Sequence, residues 1–195
     1  MKSRIKDKGD TMAKKIQLIT LISTLAAVGT VLWYGITGLP LAQTLAITFG
    51  TTAYHFIMRL VVGWVIDRIL HNRVDHRAKW FRVGDREMAF YRKIGLKSWK
   101  KHLPTYDPSV FDIKCHSWDE IAQATCQAEL VHEAIVVLSF VPILGAIPFG
   151  ELGVFVITSV LAAGFDSLFV MLQRFNRTRI LRLVDRQHSS IRKPL

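Results

Sequence analysis

Between Ile16 and Ile66 the chain carries one Lys, Arg, Asp or Glu, which is Arg59. A soluble domain alternates apolar and charged residues along its elements, and this stretch does not. Ile16 to Ile36 holds no charge and, at about 1.5 Å per residue, is long enough to cross a hydrocarbon core of about 30 Å. Trp33 and Tyr34 near its end suit an aromatic belt at a membrane interface. Half of the residues are hydrophobic and the mean hydropathy is positive, yet the formal charge is +11. The basic residues flank the apolar blocks: six Lys/Arg fall in Met1 to Lys15, eleven in Asp67 to Asp107 and seven in Arg174 to Leu195. That distribution predicts an all-α polytopic membrane protein and argues against nucleic-acid binding, which interleaves basic residues with a folded polar surface.

The turns follow from the punctuation. Gly38-Leu39-Pro40 closes the first apolar run, and a second helix can extend from Leu41 past Val65. Ser117, with Glu120 three residues on, is a capping box for a helix beginning at Trp118. Glu133 to Phe149 and Leu152 to Leu172 supply a third and a fourth span, with Pro142 expected to kink the third. Residues 71–107 contain no span and are rich in aromatic and basic residues. They are expected to form amphipathic helices on the cytoplasmic membrane surface with aromatics inward. The expected organisation is one integral membrane domain over 1–195: a basic arm (1–15), a helical hairpin (16–70), an interfacial segment (71–127), a second hairpin (128–173) and a basic tail (174–195). About four crossings place both termini on the cytoplasmic side of the cell (inner) membrane, because Lys/Arg-rich flanks stay there. The first run is too long for a signal h-region and reads as a retained helix. Cys115 and Cys126 form no framework and are expected to be free thiols.

The candidate chemistry lies where polar groups enter apolar spans. Glu129, His132 and Glu133 share one face at the start of the third span. Ionisable groups there are costly, so they read as a functional cluster; the alternative is that the two glutamates mark headgroup depth and pair with basic neighbours. Gln173, Arg174, Asn176, Arg177 and Arg179 close the fourth span at the same side, and Asp166 shares a face with Gln173 and Arg177. In the second helix His55 and Arg59 either face the interior and oppose an acid such as Asp166 or Glu129, or Arg59 snorkels to the headgroups. A histidine oriented by a carboxylate can take a proton from a hydroxyl, and arginines can hold phosphate or an oxyanion. Together these groups point to group transfer onto a hydroxyl.

Other chemistries compete. His102 to Asp107 spells an H-x4-D pattern used by glycerolipid acyltransferases. Glu129-x-x-His132 is half of a di-iron site, completed only if His55, Glu87 or Asp166 joins it. No G-x-S-x-G elbow is present, so a covalent serine mechanism has no support. A non-enzymatic scaffold gripping anionic lipid is the reading from another class.

Trp99-Lys100 before Leu103-Pro104, then Ala128-Glu129-Leu130-Val131-His132, then Gln173-Arg174-Phe175-Asn176-Arg177-x-Arg179-Ile180 resemble the glycosyl-4,4'-diaponeurosporenoate acyltransferase family, over roughly Glu87 to Leu183. The resemblance implies transfer of a fatty acyl group to the sugar of a carotenoid glycoside. It implies a shared site of Glu129, His132, Gln173, Arg174, Asn176, Arg177 and Arg179, with Glu87 beside them. The expected catalytic set is His132 as base with Glu129, Glu133 and Glu87. The expected substrate-binding set is Gln173, Arg174, Asn176, Arg177, Arg179, Trp99, Lys100, His55, Arg59 and Asp166. No metal or cofactor is expected; acyl-CoA is the co-substrate, and the partners are membrane lipid and a hydroxyl-bearing lipid or glycoside acceptor.

Overall fold

A computed structural model describes the backbone of residues 2–99 and 108–191 and the side chains of residues 13–99 and 109–186. Among them every regular element is helical, and four helices are long and apolar enough to cross a membrane. This is the architecture of a membrane protein. The long helices are α1 (Lys2–Thr37), α2 (Pro40–Leu70), α5 (Trp118–Leu138) and α7 (Leu152–Ile191). Between α2 and α5 lie a 3-10 turn (Lys79–Phe81), α3 (Asp85–Lys93), α4 (Leu96–Trp99) and a second 3-10 turn (Pro108–Phe111). Between α5 and α7 lie a third 3-10 segment (Val141–Gly145) and the single-turn α6 (Ala146–Phe149).

Local rules set these boundaries. Gly38 takes a left-handed φ of 64° and Pro40 opens α2, where its missing N–H has no intrahelical partner to lose. The expected capping box is present: Ser117 Oγ accepts from the Glu120 N–H at 3.2 Å, and Glu120 Oε2 accepts from the Ser117 N–H at 2.7 Å. α5 begins at Trp118, where the capping box predicts it, and α7 continues past 174 without a break. The basic N-terminal residues likewise continue into α1.

α1 pairs with α2 and α5 with α7 as hairpins, and α2 packs on α5 to join the two. The register of that junction is antiparallel. Gln43 Nε2 donates to Phe149 O at 3.2 Å, Tyr54 Oη to Leu138 O at 2.9 Å, and Gln127 Nε2 to Asp67 Oδ1 at 3.0 Å. As the α2 number rises, its partner's falls. Both ends of the chain thus reach the same end of the bundle, which also carries α3 and α4. There Met88, Tyr91 and Leu96 pack with Leu172 and Phe175 of α7 in a small buried core.

The aromatic residues of the interfacial segment divide. Phe81 and Tyr91 are buried, whereas Trp80, Phe90 and Trp99 are exposed. On α3 the face carrying Met88 and Tyr91 leaves Phe90 outside, while Trp80 stands in the preceding 3-10 turn and Trp99 ends α4.

Pro142 does more than kink its span. It ends the α-helix at Leu138, since it has no N–H to give the carbonyl four residues earlier, and the chain continues as 3-10 helix. The freed Leu138 carbonyl takes the Tyr54 hydroxyl instead. In an apolar surround such a group needs a partner. Tyr54→Phe should therefore lower unfolding stability by about 1–2 kcal/mol, measured by denaturant titration in lipid nanodiscs; a variant as stable as the parent would contradict the assignment.

Candidate active site

Two polar clusters sit where α5 meets α7, one helical turn apart along α5 and about three along α7. The first is centred on Glu129, which is wholly buried beside wholly buried Arg177. Arg177 Nη1 ion-pairs with Glu129 Oε2, its Nη2 donates to Phe81 O at 2.7 Å, and its guanidinium lies 5.0 Å from the Phe81 ring centre. Arg174 Nε lies 3.0 Å from Glu87 Oε1 and 3.6 Å from Glu129 Oε1. Its Nη2 reaches the carbonyls of Trp80 and Arg82 at 3.4 and 3.3 Å. Tyr91 donates its hydroxyl to Glu87. The Trp80 indole donates to Glu133 Oε2 at 2.9 Å, completing a clasp that holds residues 79–82 against α5 and α7.

The second cluster is centred on Asp166, 1% exposed. Its Oδ2 takes the Arg59 guanidinium, and its Oδ1 lies 3.0 Å from His132 Nδ1. Arg59 also donates from Nη1 to His55 O at 3.0 Å, one turn back along α2. The His132 ring stacks on Phe169, 4.7 Å between centres and 12° from parallel. Nδ1 faces the carboxylate, which can accept only from a protonated ring nitrogen, and Nε2 is the nitrogen turned away from it.

The convergence of the third and fourth spans is therefore real, but its partners differ from those expected. The carboxylate on His132 is Asp166, not Glu129 or Glu133: Glu129 faces the arginines of α7 and Glu133 faces an indole. Glu87 joins the Glu129 cluster through Arg174. Arg59 does not snorkel but turns inward to Asp166, and His55 is buried beside it. Arg177 is wholly buried, with Nη1 committed to Glu129 and Nη2 to Phe81 O, while its Nε has no hydrogen-bond partner among the described residues. Gln173 and Asn176 are half-buried and Arg179 is exposed. Trp99 ends α4 and is exposed, and Lys100 and the His102–Asp107 pattern lie outside the described residues. The two halves of the Glu129-x-x-His132 motif point to different partners, and no group of three His, Cys, Asp or Glu among the described residues is placed to hold a metal ion. Cys115 and Cys126 are free thiols.

Sequence reasoning missed Tyr91, Trp80 and the Phe81 carbonyl. Tyr91 lies at i+4 from Glu87 on α3, a spacing that could have found it; a backbone acceptor leaves no trace in sequence.

The fold is an all-helical membrane bundle in which a half-buried imidazole faces a buried carboxylate. A sequence model of the glycosyl-4,4'-diaponeurosporenoate acyltransferases matches residues 76–186, more than half of the chain. The chain belongs to that family and is an acyltransferase. Neither a curated protein nor a solved structure matches it. The matched segment contains α3 to the greater part of α7 but not α1 or α2, so Arg59 and His55 are brought to the site from outside it.

Two expectations follow from the first cluster. Removing one partner of the Glu129–Arg177 pair leaves a buried charge unmatched. Glu129→Ala should therefore destabilise the protein by about 3–5 kcal/mol in denaturant unfolding, and a loss under 1 kcal/mol would show that the pair is not sealed from water. Burial, and then the hydrogen bond to Glu87, hold the Tyr91 phenol above its ordinary value of 10. The folded state thus keeps a proton that the unfolded chain releases above about pH 10, so stability falls as pH rises from there. Tyr91→Phe should flatten that fall; an unchanged alkaline limb would refute the assignment.

Proposed function

We propose that the protein is embedded in the cell membrane with both termini cytoplasmic and transfers a fatty acyl group from acyl-CoA to a sugar hydroxyl of a lipid-soluble glycoside, with His132 as general base. The observation that carries this reading is the 3.0 Å approach of Asp166 Oδ1 to His132 Nδ1 at the junction of α5 and α7. A base must be oriented before it is useful, and here a carboxylate fixes the ring while Phe169 fixes its plane.

In the proposed reaction His132 Nε2 takes the proton of the acceptor hydroxyl as its oxygen attacks the thioester carbonyl carbon. The C–O bond forms and the carbonyl electrons move onto oxygen. Collapse of that tetrahedral oxyanion breaks the C–S bond, and the departing thiolate recovers the proton from the imidazolium. No covalent enzyme intermediate is needed. Asp166 stabilises the transient imidazolium, and Arg59 keeps the carboxylate in place from α2.

The buried arginines take a different part from the one their spacing suggests. Arg177 and Glu129 brace the helix ends and hold residues 79–82, and Arg174 extends that brace to Glu87. Binding of the donor's phosphates falls to the exposed cations beside them, Lys79, Arg82, Arg86 and Arg179, with Gln173 and Asn176 half-buried at the rim.

His132→Ala should abolish transfer in protein that still folds, and Asp166→Asn should reduce kcat by about 10²–10⁴-fold. Both are read by following radiolabelled acyl-CoA into glycoside ester. Parental turnover in the His132 variant would remove the base assignment.

A further inference from the structure

Two buried polar side chains stand outside every network described above. His55, 8% exposed, presents neither ring nitrogen to a partner among the described residues, and wholly buried Ser159 has none for its hydroxyl. Their neighbours are satisfied. Thr51 Oγ1 donates to Ile47 O and Ser139 Oγ to Ile135 O, each at 2.8 Å, and Tyr54 is taken up by Leu138. Hydroxyls can fold back onto the preceding turn of their own helix in this way, whereas an imidazole held away from the backbone cannot. An unpartnered imidazole and an unpartnered hydroxyl inside an apolar bundle are unfavourable, and a phenylalanine and an alanine would avoid the penalty.

Their placement joins them to the site. His55 lies one turn along α2 from Arg59, which donates to its carbonyl. Ser159 lies seven residues before Asp166, two turns away on the same face of α7, and Ser139, the residue that caps α5, lies seven residues after His132. Because α5 and α7 are antiparallel, both spacings run in one direction, away from the charged end. A polar seam about 10 Å long therefore leads from the His132–Asp166 pair into the middle of the bundle. An acyl chain offers such a seam nothing, since it has no hydrogen bond to give or take. A sugar offers several hydroxyls that do both, and a hexose with a hydrogen bond at either end spans a distance of that order.

Resting on the acyl-transfer reading, we propose that this seam is the acceptor site. The glycosyl headgroup lies between α2, α5 and α7, its hydroxyls bonded to His55 and Ser159, and one hydroxyl is held toward His132 Nε2. The acyl donor then approaches from the basic end, and the two substrates meet at the imidazole from opposite directions.

The test uses the full chain in lipid nanodiscs with dodecyl glucoside as probe and dodecanol as its control. The glucoside should raise the thermal midpoint of the parent more than dodecanol does. That extra increment should be lost in His55→Phe and reduced in Ser159→Ala, while both variants without ligand melt at or above the parent. His55→Gln, which keeps a donor and an acceptor, should regain part of it. With a glycoside acceptor in turnover, either variant should raise KM about tenfold, as expected for one lost hydrogen bond, with a smaller change in kcat. Equal glucoside stabilisation in parent and both variants would overturn the proposal, as would a lower unliganded midpoint in both, which would make the two side chains structural. Glucoside binding that depends on His55 but is followed by no acyl transfer would sustain the acceptor site and defeat the reaction assigned to it.

Discussion

One carboxylate ties the bundle together. Asp166 stands on α7, takes a guanidinium from α2 with one oxygen and an imidazole from α5 with the other, and is sealed from solvent. Few side chains can do this in apolar surroundings. A lone buried acid is strongly unfavourable, and so is a lone arginine; together they are tolerated only when geometry and further hydrogen bonds compensate both. The two hairpins are therefore held in one relative position, because sliding α2 along α5 would part Arg59 from its only counter-charge among the described residues. The same requirement fixes the histidine. Both contacts use the one carboxylate.

The second cluster repeats the logic at the basic end of the bundle. Glu129 and Arg177 are matched inside the protein, and the spare donors of Arg174 and Arg177 go to the carbonyls of residues 80–82. Those carbonyls belong to a 3-10 turn and its flank, with lone pairs that no helix uses. Side-chain charge thereby substitutes for regular backbone pairing, and the turn is positioned over the helix ends without a strand or long helix of its own. Leu138 and Tyr54 show the rule for a single carbonyl: where proline removes a donor, a side chain from the adjacent helix replaces it.

Much of this was legible in the residue order. Charge-free runs marked the helices that could cross a membrane, glycine and proline marked the first turn, and Ser117 with Glu120 marked the start of α5, because each is decided within a few residues. The meeting of Glu129 and His132 with the Gln173–Arg179 region was also legible, since antiparallel spans with basic flanks bring those ends together. Partner choice within the meeting was not. Glu129 stands one turn before 132 on its own helix and Asp166 can reach it only from α7, and the rotation of α5 against α7 selects Asp166. The burial of Arg177 was equally hidden, because an arginine in a basic tail looks the same whether it faces water or a Phe81 carbonyl. The outward turn of Phe90 follows from how little of the nine-residue α3 can face a neighbour, which composition does not record.

The family match begins at residue 76, whereas the guanidinium that steadies the site arises from Arg59. The first hairpin is thus part of the site as well as of the fold. The account rests on the tie between Asp166 and His132, and nitrogen-15 NMR of the histidine side chains in the full chain reads it directly. It predicts that His132 carries its proton on Nδ1 with Nε2 bare, and that Asp166→Asn shifts the ring nitrogens of that residue more than those of any other histidine. A proton on Nε2 in the parent, or signals indifferent to the loss of the carboxylate, would contradict it.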